Sequence, residues 1–241
     1  MILVVLASGM GKRLNKKIPK CLVKIEDKTI LERIIESSKN FKKIIVVGGY
    51  KSNLLKKIIK KFNKKNIILI NNKDYKSTNM VESFFKSFKK IDQDVLITYS
   101  DIVYDSSLLE KMCNFKKDHL MLNSDWLKNW SLRMPLKKIL LDAETIKTKE
   151  NHITTIGQKI KKKLPRYQFM GLIRFNYKNL KKIKNYYIKV KNKKIDFTSF
   201  LNLLIQNKIL KIEFQKTKKY WFEIDTKKDL SVASNFFKVE K

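Results

Sequence analysis

The chain is short of the residues that cross-link, punctuate or ligate. Its 241 residues include two cysteines, three prolines, six glycines and two histidines. Cys21 and Cys113 form no disulfide framework and offer no metal-ligand spacing, which fits a reducing cytoplasm. So little Gly and Pro excludes collagen-like and low-complexity linker architectures. His119 and His152 each stand alone, without a partner motif for nucleophilic catalysis, and are read as structural. No apolar run approaches bilayer-spanning length. Met1 to Ala7 lacks the basic flank and the length of a secretion signal. A soluble cytoplasmic protein with no membrane partner is expected. Acidic residues are also few, 22 against 55 basic ones, for a formal net charge of +33. Such charge ordinarily points to nucleic acid. Only five of the 55 are arginine, however, and the lysines recur along almost every segment, the pattern of a solvated face. No usual RNA-binding motif is present, and no nucleic-acid partner is expected.

What is present is a chain 43% hydrophobic, enough for one large core with a small appended lobe. Residues 1–241 are read as a single α/β domain in which about 118–165 form a substrate lobe. Strand and helix patterns alternate through the first half, as in a parallel sheet with crossover helices. Strands are predicted at Ile2–Val5, Ile44–Val47, Ile67–Ile70 and Val95–Tyr99, with helices at Ile30–Ser37, Lys51–Phe62 and Met80–Phe88. The lobe shows short hairpin-like pieces at Ile139–Asp142 and His152–Ile156. Tyr167–Phe175 returns as a strand, Phe197–Ile205 is a helix capped by Asp196, and Leu210–Phe214 and Tyr220–Ile224 are strands before a last helix. In open α/β sheets ligands lie beyond the carboxyl ends of the strands. The loop after Leu6, the turn at Asn71 and Asn72, and Asp101 should therefore converge.

The first strand runs directly into LASGMGKRLNKKIPKCL, Leu6 to Leu22. Gly9 and Gly11 let the backbone approach a polyanion, and Lys12, Arg13 and Lys20 neutralise it. This is not a Walker A loop, since Gly11-Lys12-Arg13 stands where Gly-Lys-Ser/Thr is required. Nor is it the dinucleotide fingerprint, whose third glycine is replaced by Leu14. At the other end, Trp221, Glu223 and Asp225 share one face of a strand by period two. Asp101 could equally serve an Asx-turn or a cap, and Asp225 could start the last helix, because Thr226 and Asp229 resemble a capping box. Asn79 could contact a nucleobase or cap its own helix.

A small-Gly-x-Gly-x-Arg loop followed by Pro-Lys resembles the signature of the nucleotidyltransferases, which join an NTP to a phosphorylated metabolite and release pyrophosphate. TNMVES, with Thr78, Asn79 and Ser83, resembles the T-N-x-x-S segment of the cytidylyltransferase branch acting on phosphocholine and phosphonates. YSDIVY, the spaced Trp126, Trp130 and Arg133, the DAE at 142–144, IGQK at 156–159, FMGL and EIDTKKDL look like landmarks of that branch. The resemblance implies a Rossmann-like nucleotidyltransferase fold, a mostly parallel mixed sheet flanked by helices with a small lobe. It implies Mg²⁺-dependent transfer of CMP from CTP to a small phosphorylated acceptor. Leu6, Ala7, Ser8, Gly9, Gly11, Lys12, Asn79 and Ser83 would face the nucleotide. Arg13 would hold the β and γ phosphates and Lys20 the α phosphate; these two and Lys159 are the expected catalytic cations. Asp101 and Asp225 would hold Mg²⁺, for which one or two carboxylates plus phosphate oxygens suffice. Trp126, Trp130, Arg133, Asp142, Glu144 and Glu223 would bind the acceptor, with Arg133 and Lys159 on its phosphoryl group. Such a set suits a zwitterion; whole-chain resemblance puts phosphoglutamine first, for capsule or surface-polysaccharide modification, ahead of phosphocholine and 2-aminoethylphosphonate. No general base is expected, because the phosphoryl group is already anionic. Ala7-Ser8-Gly9 departs from the family's small-Ala-Gly, which is expected to alter one hydroxyl contact to the nucleotide. A nucleotide binder without turnover is the competing reading.

Overall fold

The computed structural model describes residues 1–14, 17–160 and 163–239. In chain order these form β1 (Ile2–Ala7), β2 (Lys24–Ile25), β3 (Lys28–Thr29), α1 (Ile30–Glu36), β4 (Lys43–Gly48), α2 (Ser52–Lys61), β5 (Ile67–Asn71), α3 (Met80–Ser87) and β6 (Val95–Tyr99). Then come β7 (Ile102–Tyr104), α4 (Ser107–Cys113), β8 (His119–Asn123), α5 (Trp126–Ser131), α6 (Leu136–Asp142), β9 (Glu144–Lys149) and β10 (His152–Lys159). The chain finishes with β11 (Gln168–Phe175), α7 (Tyr177–Lys189), α8 (Phe197–Gln206), β12 (Glu213–Thr217), β13 (Trp221–Glu223) and α9 (Lys227–Val239).

Nine strands make one sheet in the order β5-β4-β1-β6-β11-β8-β12-β10-β9. β1 is buried along its whole length, and its alternating residues divide between two cores. Leu3, Val5 and Ala7 join one core while Val4, Ile2 and Leu6 join the other. The sheet is parallel from β5 to β6, and β8 also runs parallel to β12. β11 is antiparallel to both β6 and β8, and β9 and β10 form an antiparallel hairpin at the edge. The mixed, helix-flanked sheet is the one expected, with more antiparallel pairing in its second half than the first half foretold. No helix among the described residues is long and apolar enough to cross a membrane.

Several segments differ from the sequence reading, among them helices α4 and α5, which it did not predict. Ile139–Asp142 is the end of helix α6, introduced by Pro135 at its N-cap, and not a hairpin arm. The hairpin is β9–β10, which bulges at Gly157. There φ is +81°, and a Cβ would lie 3.0 Å from Thr198, so glycine lets the hairpin press on the start of α8. His119–Asn123, assigned to the lobe, is an interior strand of the main sheet. The strand read at Leu210–Phe214 lies further on, at Glu213–Thr217. Helix α7 had no counterpart in the reading; its buried stripe is only Leu180, Ile183 and Tyr187 among many lysines.

Candidate active site

The middle of the chain and its C-terminal segment meet through a short ribbon. β7 pairs antiparallel with β13, setting Ile102 opposite Glu223, and the Ile224 N–H donates to the Asp101 carbonyl at 2.8 Å. Asp101 and Asp225 are thereby placed side by side beyond the carboxyl end of β6. Lys20 Nζ lies 2.7 Å from Asp101 Oδ2 and also bonds Asp225 Oδ1; Arg13 reaches Asp225 Oδ2 at 2.7 Å. Burial pulls the Lys20 ammonium down, but the two carboxylates outweigh it and leave the group above its ordinary value. Asp225 does not cap the last helix. Thr226 and Asp229 do so, Asp229 Oδ2 accepting the N–H groups of Asp225 and Thr226 at 2.9 and 2.7 Å. Both carboxylates are thus directed to the cationic cluster and away from local turn and cap roles.

One cavity opens beside this cluster between the first loop and α3. Leu6, Ala7, Ser8, Gly9, Lys20, Asn79, Ser83, Tyr99 and Asp101 line it. A Cβ at Gly9 would stand in open space, so the loop backbone is free to approach a ligand. Gly11, at φ +60°, abuts the Lys20 stem, where a Cβ would come within 3.1 Å of Lys20 Cβ. The Ser8 hydroxyl donates to the Val47 and Gly48 carbonyls at 3.1 and 3.2 Å, so it ties the loop to β4. Asn79 caps α3 through the Met80 N–H at 2.8 Å and donates to the Lys194 carbonyl at 3.1 Å while lining the cavity. Buried Asn72 holds Thr78 and Ser83 at 3.1 and 3.0 Å, which fixes this wall from the turn after β5. The Lys12 side chain lies outside the described part of the structure.

A second cavity continues from the first across Tyr99 and Asp101. Asp101, Asp142, Glu144, Asp196, Glu223 and Asp225 all line it, with Arg13 as the cation and Tyr99, Trp130 and Phe169 as aromatic walls. Burial, with Asp225, Asp101 and Asp142 adding repulsion, pushes Glu223 up to about 8 against the pull of Arg133. Glu144 is also raised, by burial and then by Asp196 and Asp142, although Thr198 donates to it at 3.2 Å. The sequence predicts only a cap at Asp196. That residue does cap α8, accepting the Ser199 N–H at 2.7 Å, and it faces the cavity as well. Nothing in its sequence neighbourhood signals the second role.

Three of the expected acceptor residues sit elsewhere. Trp126 is 2% exposed and donates to the Pro165 carbonyl at 3.2 Å, packing edge-to-face on Trp130 within the core that also holds Leu3 and Val5. Arg133 is buried, stacked 4.7 Å over Trp130 and paired with Glu223 at 2.7 Å and Asp229 at 3.3 Å. Its charge is already committed, so it braces the site from behind. Lys159 is exposed at the end of β10, opposite Glu144 in the hairpin, and is not among the residues lining these cavities. His119 stacks on Phe115 at 4.1 Å and burial lowers its pKa, in keeping with a structural role.

Among the described residues no three His, Cys, Asp or Glu side chains gather as a self-sufficient metal cage. The Asp101–Asp225 pair is a hard-oxygen donor set of the kind that suits Mg²⁺ completed by phosphate oxygens and water. A glycine-bordered cavity that holds Lys20 thus adjoins an acidic, aromatic one, and the paired carboxylates stand at their junction.

Residues 3–122 match the MobA-like NTP transferase domain. The chain is 35% identical to the CTP:phosphoglutamine cytidylyltransferase of Campylobacter jejuni, over 95% of this chain and 97% of that protein. Among solved structures, the inositol-1-phosphate CTP transferase from T. maritima superposes with a TM-score of 0.77 at 19% identity, covering 97% of this chain and 94% of that one. The CTP:phosphocholine cytidylyltransferase from Streptococcus pneumoniae gives 0.75 at 15% identity, covering 98% and 99%.

Proposed function

This chain belongs to the nucleotidyltransferase family as a cytidylyltransferase, and from that premise we propose that it transfers CMP from CTP to a phosphorylated acceptor carrying a cationic amine, with phosphoglutamine the first choice. The observation that carries the acceptor class is the second cavity. In a protein of net charge +33, six carboxylates gather around one hollow beside the phosphate-binding lysine. Lys20, Arg13 and Arg133 meet Asp101, Asp225 and Glu223, and Asp142, Glu144 and Asp196 have no cationic partner among the described residues, so a zwitterion can place its ammonium beside these three and on the Trp130 face. The Campylobacter relative's name supports phosphoglutamine, whose nucleotide-activated product would serve capsule or surface-polysaccharide modification in the cytoplasm.

In this reading the Gly9–Gly11 loop, Arg13 and Lys20 bind the triphosphate, Lys20 at the α phosphate. An acceptor phosphoryl oxygen attacks the α phosphorus in line; that P–O bond forms as the bond to pyrophosphate breaks. The attacking oxygen is already anionic, so no side chain need remove a proton. Asp101 and Asp225 would hold Mg²⁺, which supplies neutralisation of the charge on the transferred group. Lys20 adds a preorganised charge that strengthens as the α phosphate gathers electron density.

Competition assays with CTP test the acceptor class. Phosphoglutamine, phosphocholine and 2-aminoethylphosphonate should each be used in preference to glycerol phosphate, and Asp142→Asn and Glu144→Gln should narrow that preference. Equal use of glycerol phosphate by the wild type, or unchanged selectivity in both variants, contradicts the zwitterion reading. Phosphocholine used in preference to phosphoglutamine would reassign the acceptor within the class.

A further inference from the structure

We propose that Lys20 guards the carboxylate pair against free divalent cations, so that the metal enters this site only in company with the nucleotide. The inference rests on the reading of Asp101 and Asp225 as the metal carboxylates. Lys20 Nζ bonds one oxygen of each, and Arg13 takes the second oxygen of Asp225, so cations engage three of the pair's four oxygens. Two negative charges are met by two positive ones, and the cluster is neutral as it stands. The members differ in solvation: the Lys20 and Asp225 side chains are 13% and 12% exposed, whereas Arg13 is 66% exposed. Arg13 can therefore leave for water at little cost. Lys20 has no such exit.

A free divalent ion arriving at this pair finds one oxygen of each carboxylate held by the ammonium, and must either displace that group or bind beside it. Within a few ångströms, in a partly desolvated site, that repulsion opposes binding. A metal already carried on a triphosphate meets a different balance. The phosphate oxygens give the displaced ammonium a new counter-anion, so a carboxylate contact is exchanged for a phosphate contact and no charge is stranded. The backbone limits how far Lys20 can travel. It begins a tight turn, Lys20–Leu22, in which Cys21 and Leu22 are buried, and its stem packs against Gly11 of the nucleotide loop. The exchange is accordingly a side-chain rotation between the carboxylates and the adjoining cavity, which Lys20 also lines. By linkage, nucleotide and metal each raise the other's affinity by the same factor.

Calorimetric titration of Mn²⁺ into nucleotide-free protein tests this, with a non-hydrolysable α,β-methylene analogue of CTP for the ternary state. Wild-type protein should bind Mn²⁺ weakly alone, and Lys20→Ala and Lys20→Gln should each tighten that binding by about tenfold or more, the scale of one removed like-charge contact in a partly desolvated site. Adding Asp101→Asn should abolish the gain. If neither Lys20 variant, shown to be folded by circular dichroism, binds free Mn²⁺ more tightly than wild type, the guard is refuted. The underlying metal reading is tested apart from it: Asp101→Asn and Asp225→Asn should lose the gain that Mn²⁺ gives to binding of the CTP analogue. If they retain it, the carboxylates are not the metal ligands. If they lose it while the Lys20 variants show no gain, only the guard fails.

Discussion

Asp229 Oδ2 accepts the backbone N–H of Asp225 at 2.9 Å, so the residue that caps the last helix also fixes the residue that faces the reaction centre. Because Asp229 takes the capping role, the Asp225 carboxylate is free to meet Lys20 and Arg13. Asp229→Ala should cost about 2 kcal/mol of stability, since it removes a cap and one buried partner of Arg133. Asp229→Asn keeps an acceptor oxygen and should recover much of that loss. Urea denaturation of the two variants checks the order.

Arg133 is the residue for which structure and sequence reading diverge most. If it braces Glu223 and Asp229, Arg133→Met should lower stability by about 3 kcal/mol, the scale of stranding buried charge. An Arg133 that only bound acceptor phosphate would leave the denaturation midpoint in place and raise the acceptor KM. Measuring both quantities on one variant separates the two roles.

For the cationic pair, burial sets the expectation. Lys20→Ala should act mainly on kcat, because the charge it faces grows only as the α-phosphate bond breaks. Arg13→Ala, in a solvated position, should act mainly on the KM for CTP. Steady-state kinetics with saturating acceptor distinguishes them, and a Lys20 variant changed only in KM would remove its transition-state role.

The cysteines give a test of the packing around the nucleotide loop. Cys21 is 1% exposed and burial pushes its thiol up to about 12, while burial also raises the thiol of the half-buried Cys113. Thiolate is the reactive form, so at pH 8 Cys113 should be labelled slowly and Cys21 only on unfolding. Thiol titration in native buffer and in urea should show that order; prompt labelling of Cys21 would mean the loop opens readily.

The legible parts of this molecule were those written locally. The apolar run Ile2–Ala7, the glycine loop behind it and the strand leading to Asp101 each carry their signal within a few residues, and so the sheet's parallel half and the meeting of that loop with Asp101 beside one cavity could be read directly. Asp225 was legible because alternation along Trp221, Glu223 and Asp225 gives direction. Arg133 was not, since its partner Glu223 is 90 residues away and nothing nearby marks the charge as buried. Asp196 and Ser8 show the same limit. Each satisfies a local rule, a helix cap or a small loop residue, while its cavity wall or its bond to β4 is decided by tertiary packing. Helices α5 and α6 were missed because they are short, and their apolar residues, including exposed Leu136 and Leu141, do not keep a clean helical face.

The central claim is that this chain moves CMP from CTP onto a phosphorylated acceptor at the Lys20–Asp101–Asp225 cluster. The most direct measurement is pyrophosphate release by purified protein with Mg²⁺, each of the four NTPs in turn, and phosphoglutamine as acceptor. Release should require the acceptor, should favour CTP, and should fall by at least about a hundredfold in folded Asp101→Asn and Asp225→Asn, the scale of losing a principal electrostatic stabiliser. Release that is indifferent to the base, or that persists undiminished in both variants, would contradict the account.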